Sequence, residues 1–156
     1  MPNRYYDRGT RQGGGSRGSR GPPQNQYPDS NITDEVTQNI DLILSYTKEN
    51  IPTFIHLADK FGEHLSRKAK LTISQIRKIY SEVQRIKSLD EEKSVMRLHM
   101  LRPKLAYAKG RHRAVTDLQK VLDTMIEKIK TEEQLTHFKE FFEAVLAYHR
   151  AYGGKE

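Results

Sequence analysis

The chain has 156 residues, a formal net charge of +7 and an isoelectric point near 9.6, with no cysteine, so disulfides, thiolate metal sites and cysteine nucleophiles are excluded. No apolar run approaches the ~20 residues of a membrane span, and the N-terminus lacks the apolar core of a secretory signal. The expectation is a soluble, cytoplasmic protein without a membrane partner, with room for one domain of roughly 125 residues.

Residues 1–30 form a separate compositional regime. Arg4, Arg8, Arg11, Arg17 and Arg20 are set among glycines, serines and the Pro22-Pro23 pair, with almost no aliphatic side chains. Such a stretch cannot bury enough apolar surface to offset its ordering entropy, so it is expected to be a disordered basic tail. Its Gly/Arg interleaving with Tyr5, Tyr6 and Tyr27 suits adhesion to RNA through charge and stacking. A solubilising tail or a leftover of expression fits the same composition.

From residue 31 to 156 the period is helical. Val36, Ile40, Ile43, Leu44 and Thr47 mark one face, with Asp34 and Glu35 in a first turn where the helix dipole favours acids. Pro52 interrupts the pattern. Phe54, Ala58, Phe61 and Leu65 resume it, so residues 34–66 are two helices or one kinked helix. Thr72 and Gln75 have the spacing of a capping box, opening a helix whose buried face is Ile73, Ile76, Ile79, Tyr80, Val83 and Ile86. After Asp90, Glu91 and Glu92 comes a helix with Leu98, Leu101, Leu105 and Ala108 as its seam, Pro103 within it and Gly110 as the expected stop. Val115, Leu118, Leu122, Met125 and Ile129 define the next. Thr131 and Gln134 are a second capping box, starting a final helix with an apolar stripe from Leu135 to Tyr152, ended by Gly153-Gly154. No stretch alternates with period two. The fold class expected is all-α, a single-domain bundle of about five or six helices behind the tail.

Charge is distributed unevenly along this domain. Between Arg67 and Arg113 stand fourteen Lys and Arg against Glu82, Asp90, Glu91 and Glu92, whereas both flanks are mildly acidic. A basic block within a folding-competent sequence suggests a face that holds a polyanion; a well-solvated surface is the bland reading of the same charges. On a helical wheel for residues 72–87, Lys78 and Arg85 lie opposite the apolar set, with Arg77 on the flank. In the next helix Lys93, Arg97, Lys104 and Arg111 share one arc if it stays straight, because a seven-residue step drifts only ~20°. Lys68, Lys70, Lys109 and Arg113 add charge near helix ends. The expected RNA-binding residues are Lys68, Lys70, Arg77, Lys78, Arg85, Lys104, Lys109 and Arg111, acting on phosphates, since the face offers charge without aromatic platforms.

Catalytic signatures are weak, and no catalytic residue, metal site or cofactor is expected. His56, His64, His99, His112, His137 and His149 are scattered without metal-ligand spacing. His112, among Lys109, Arg111 and Arg113, could move protons in RNA cleavage but has no second poised acid or base. Glu91/Glu92 and Glu132/Glu133 read as first-turn helix charges. The broad aromatic arc of the last helix, including Phe138, Phe141, Phe142, Tyr148 and Tyr152, suggests one buried edge and one edge that meets a neighbouring subunit. Tyr152 is the candidate for the latter.

Three stretches in order, Leu71 to Lys78, Arg102 to Arg111 and Ala144 to Lys155, resemble the small subunit of type III-A CRISPR effector complexes, the Csm complex small subunit. The resemblance implies a non-catalytic helical subunit that stacks in several copies along the backbone subunit. It would line the path of guide RNA and target RNA, with the large subunit and further copies of itself as neighbours. By position it makes Arg77, Lys78 and Arg111 phosphate contacts; Lys109 stands where that family has a small residue, and the Gly/Arg-rich start has no counterpart. A helical adaptor whose basic face binds an acidic protein is the alternative from a different class, and a His112-dependent ribonuclease is a third.

Overall fold

Apolar residues at helical spacing, punctuated by two capping boxes, produce helices and no strand among the described residues. The computed structural model describes residues 31–155, so the disorder expected of residues 1–30 lies outside the described residues. In chain order the helices are α1 (Ile32–Gln38), α2 (Ile40–Leu44), α3 (Ile51–Arg67), α4 (Ile73–Gln84), α5 (Glu92–Arg111), a 3-10 turn (Arg113–Val115), α6 (Thr116–Lys128) and α7 (Glu132–Ala151). The all-α reading holds, and the count among the described residues rises to seven. The extra break falls at Asn39, whose side-chain amide donates to the Glu35 carbonyl at 2.8 Å and so competes with the helical backbone ladder.

Pro52 does not kink a helix. It sits in the first turn of α3, where a missing N–H removes nothing the helix uses. Pro103 lies inside α5, which continues through it and past Gly110 to Arg111. The expected stop at Gly110 is therefore displaced by two residues. His112 donates its N–H to the Ala108 carbonyl at 2.8 Å and then turns extended. Both capping boxes form: Thr72 Oγ1 accepts from the Gln75 N–H at 3.1 Å while Gln75 Oε1 accepts from the Thr72 N–H at 3.0 Å, and Thr131 with Gln134 repeats the exchange.

The core gathers around α7. This helix packs against α2, α3 and α4 at once, which buries Leu135, Phe138, Phe141, Phe142 and Val145. A helix enclosed on three sides needs a wide apolar arc, and the central position of α7 accounts for the breadth of its stripe. Tyr152, the candidate for an edge that meets a neighbouring subunit, is engaged with α3: its hydroxyl donates to Asp59 Oδ1 at 2.6 Å and its ring lies beneath the Arg67 guanidinium at 4.9 Å. Thr47, placed on the apolar face by spacing, is exposed because α2 has already ended.

α3 and α7 run side by side in the same direction. Phe54 meets Phe141 edge to face, Gly62 faces Val145 to His149, and Ser66 Oγ donates to the Tyr152 carbonyl at 3.1 Å. At Gly62 the backbones come so close that a Cβ there would lie 2.8 Å from the His149 nitrogen and 2.9 Å from the Val145 oxygen. Below this crossing, His149 is fully buried, and its Nε2–H donates to the Leu71 carbonyl at 2.6 Å. The chain then stops its helix with Gly153 at φ +79°, lays Gly154 on the imidazole, and returns the Lys155 carbonyl to the Ile73 N–H at 2.6 Å. The start of α4 is thus held by the end of the described chain.

Two outcomes follow from this packing. Because two of the three atoms a new Cβ would meet at Gly62 are backbone, Gly62→Ala should force α3 and α7 apart and lower stability by ~1–3 kcal/mol, measured by thermal or urea melting. Burial pushes the His149 imidazole below its ordinary range, opposed by the hydrogen bond to Leu71. Its Nδ1 has no partner among the described residues. The unfolded chain therefore takes up this proton at a higher pH than the folded one, and the stability tied to neutral His149 is complete above about pH 6.5 and declines as pH falls towards the lowered folded value. Melting temperature should drop on acidification, and His149→Gln should have a shallower pH dependence despite a lower midpoint at neutral pH.

Candidate nucleic-acid interface

Helix α4 presents its basic residues outward because Ile73, Ile76, Ile79 and Val83 hold the opposite side in the core. Arg77 and Lys78 are exposed, and neither has an ion-pair partner among the described residues. Helix α5 packs beside α4 and buries Leu98, Leu101 and Leu105, the last two lining the space between the two helices. Between the two lies a groove of about 550 Å³, closed at one end by the 3-10 turn. Its walls are Ile79, Leu101, Leu105 and Val115, and its rim carries Lys78, Lys104, Arg111 and His112.

Of the eight residues expected from sequence to contact RNA, the structure brings Lys78, Lys104 and Arg111 around this groove. Arg77 stands beside Lys78 on the outer face of α4. Arg85 caps the end of the same helix, with its guanidinium 3.8 Å from Glu82. Lys104 reaches Glu82 from the other side, at 2.9 Å. One carboxylate is therefore shared by two of the expected cations, and the Lys104 ammonium holds the Glu82 carboxyl below the usual carboxylate range.

The remaining three do not join the groove. Five residues beyond Lys104, Lys109 is turned from it by about 140° around α5. Lys68 caps α3 and Lys70 follows in the turn to α4, where its φ of +58° puts a non-glycine residue in the left-handed region. The turn is nevertheless held, since the next residue, Leu71, is the one His149 grips.

Other basic residues of the same block are withdrawn from this surface by partners that sequence spacing does not show. Arg102 is clamped by α6, its Nε at 2.7 Å from Asp123 and its Nη2 at 2.7 Å from Glu127. Arg97 donates to the Arg85 carbonyl at 3.2 Å. Acidic residues of the first helices are met likewise, Asp34 by Lys120 at 2.8 Å and Asp41 by Lys128 at 3.0 Å.

The face is not without an aromatic. Tyr107 is 68% exposed, lines the groove, and has the Arg111 guanidinium 5.9 Å from its ring centre. The expectation of charge without stacking platforms is overturned here. The signal was available: Tyr107 falls off the Leu98-Leu101-Leu105-Ala108 seam, so on a helix it must point away from the core. His112 sits on the groove's rim, and the groove's one carboxylate, Glu82, is held by Lys104. Among the described residues no group of His, Asp and Glu is gathered to hold a metal, and no helix is long and apolar enough to cross a membrane.

The three stretches singled out in the sequence converge in space. Ser74, Gln75 and Lys78 face Pro103 to Arg111 across the groove, and the segment Ala144 to Lys155 supplies His149 and the Lys155 carbonyl that hold the start of α4. No solved structure matches the chain. A curated relative from Streptococcus thermophilus, described as "CRISPR system Cms protein Csm2", is 37% identical over 93 residues, covering 55% of this chain and 76% of the relative. Residues 48–155 match the family described as Csm2 Type III-A, a span that contains α3 to α7 and the whole groove. The chain belongs to the Csm2 Type III-A family.

Proposed function

We propose that this chain is a non-catalytic small subunit of a type III-A CRISPR ribonucleoprotein, holding guide or target RNA by its phosphate backbone and tiling in copies beside the backbone and large subunits. The family supports the place in a Csm complex. The observation that carries the RNA contact is the unpaired, outward Arg77-Lys78 pair on α4 with Lys104 and Arg111 facing it across the groove. Long cations on rigid helices match a regular line of phosphates without selecting a base sequence. The five arginines of residues 1–30 add non-specific affinity in this reading.

An acidic protein would meet the same charge, and salt dependence separates the two. The double variant Arg77→Ala with Lys78→Ala should weaken binding of single-stranded RNA evenly across sequences. It should also flatten the plot of log affinity against log salt by about 1.4, the share of two phosphate contacts. An unchanged slope, or a new sequence preference, would count against backbone recognition.

Glu82 supplies a test of opposite sign. As the carboxylate that occupies Lys104 and lies near Arg85, it opposes phosphate at the groove. Glu82→Gln should release both cations and raise RNA affinity by up to about fivefold, the equivalent of the ~1 kcal/mol of an exposed ion pair. Filter binding at fixed salt measures it, and weaker binding would mean that Glu82 positions Lys104 rather than competing with RNA.

A further inference from the structure

Three apolar side chains of α5 are exposed, Met96, Met100 and Tyr107, and the last two line the groove, where backbone recognition does not explain them. Met100 is 54% exposed and Tyr107 is 68% exposed, although neither contributes to the core. Seven residues apart, they differ by only ~20° around the helix, so they stand in line along one wall of the groove. A face whose only task was to neutralise phosphates would gain nothing from a thioether and a phenol there. Behind them the walls are the buried side chains Ile79, Leu101, Leu105 and Val115.

The shape and charge around these two side chains select among occupants. At about 550 Å³ the groove is within the ~300–1,000 Å³ range of small-ligand sites. The rim cations Lys78 and Arg111 have no carboxylate partner among the described residues, while Glu82 is taken up by Lys104. An apolar slot flanked by an aromatic face and edged by free cations suits a flat, apolar-faced group carrying an anion a few ångströms away. A nucleotide has that construction. A base can lie on the Tyr107 ring, with the Arg111 guanidinium extending the stacking surface, and its phosphate can reach Lys78 or Arg111.

We infer that the α4–α5 groove is a binding site for one unpaired nucleotide, its base against Tyr107 and Met100 and its phosphate on the Lys78–Arg111 rim. The inference rests on the RNA reading above and adds a base contact to it. Within an RNA strand this base is unstacked from its neighbours, so the groove takes single-stranded or locally distorted RNA and not a continuous duplex. Stacking tolerates every base, so the subsite anchors the strand without reading its sequence.

The test uses the full chain and a short mixed-sequence single-stranded RNA bearing one fluorescent adenine analogue. Wild-type protein should change the analogue's emission on binding. Tyr107→Ala should abolish that change and weaken affinity by about 5- to 150-fold, the equivalent of ~1–3 kcal/mol per stacked base, while leaving the salt slope intact because no phosphate contact is lost. Tyr107→Phe should retain both signals. Circular dichroism should be unchanged in each variant, since the side chain lies outside the core. Free adenosine monophosphate distinguishes the source: displacement of the analogue means the groove accepts a loose nucleotide, and no displacement means it takes the base only as part of a strand. If Tyr107→Ala binds RNA as wild type does while the Arg77/Lys78 variant still flattens the salt slope, the nucleotide site is overturned and backbone binding stands. If wild-type protein binds no RNA, both fail. If polyglutamate occupies the groove in a Tyr107-dependent manner and RNA does not compete, the occupant is an acidic protein and the inference is wrong.

Discussion

The close approach of α3 and α7 at Gly62 is the constraint on which the rest of the structure depends. With no side chain at this position the two helices run parallel in near backbone contact, which sets the depth at which His149 enters the core. That depth brings Nε2 to the Leu71 carbonyl at 2.6 Å, immediately after the left-handed turn at Lys70. The Lys155 carbonyl then takes the Ile73 N–H, one of the donors at the start of α4 that the helix itself leaves unsatisfied. The capping box from Thr72 and Gln75 satisfies others. The helix that carries Arg77 and Lys78 is therefore positioned at its first turn by residues some eighty positions later in the chain.

The far end of α4 is held independently. Lys139 of α7 donates to the Ile86 carbonyl at 2.8 Å, and Tyr80 meets Phe142 edge to face at 5.5 Å. α7 thus supports both ends of the helix. A rigid α4 matters for the function proposed, because phosphate contacts gain least from side chains whose backbone must first be ordered. The position of α5 across the groove is set from its other side, where Arg102 bridges to Asp123 and Glu127 of α6. Each of these ion pairs is partly exposed and contributes little stability alone. Their consequence is to separate charges on α5: Arg102 is turned to α6, whereas Lys104 and Arg111 remain at the groove.

Much of the fold is legible from local pattern. The apolar seams from Val36 to Val145 are buried almost without exception, since a 3.6-residue period reports a single burying face wherever a helix forms. Both capping boxes form as their spacing predicts, because the bonds involved span three residues. The misses are also physical. The break at Asn39 comes with a side-chain bond to the Glu35 carbonyl that apolar spacing does not register, and Gly110 does not end α5, which runs on to Arg111. His149 looks like any surface histidine in sequence, yet it is the buried polar group that joins the end of the chain to the start of α4.

The sequence by itself determined that this chain is helical, where the two helices opened by capping boxes begin, which side of each helix is apolar, and that the excess positive charge falls on α4 and α5. Those properties are local, set by bonds and periodicities within a few residues. Only the tertiary structure decided which cations remain available. Lys104 and Arg85 meet Glu82, Arg102 is drawn to α6, and Lys109 points elsewhere, whereas Lys78 and Arg111 converge on a groove with Tyr107 beside them. A charge pair between helices depends on their relative placement, and that placement comes from distant contacts such as Gly62 on α7, where no nearby residue carries the information.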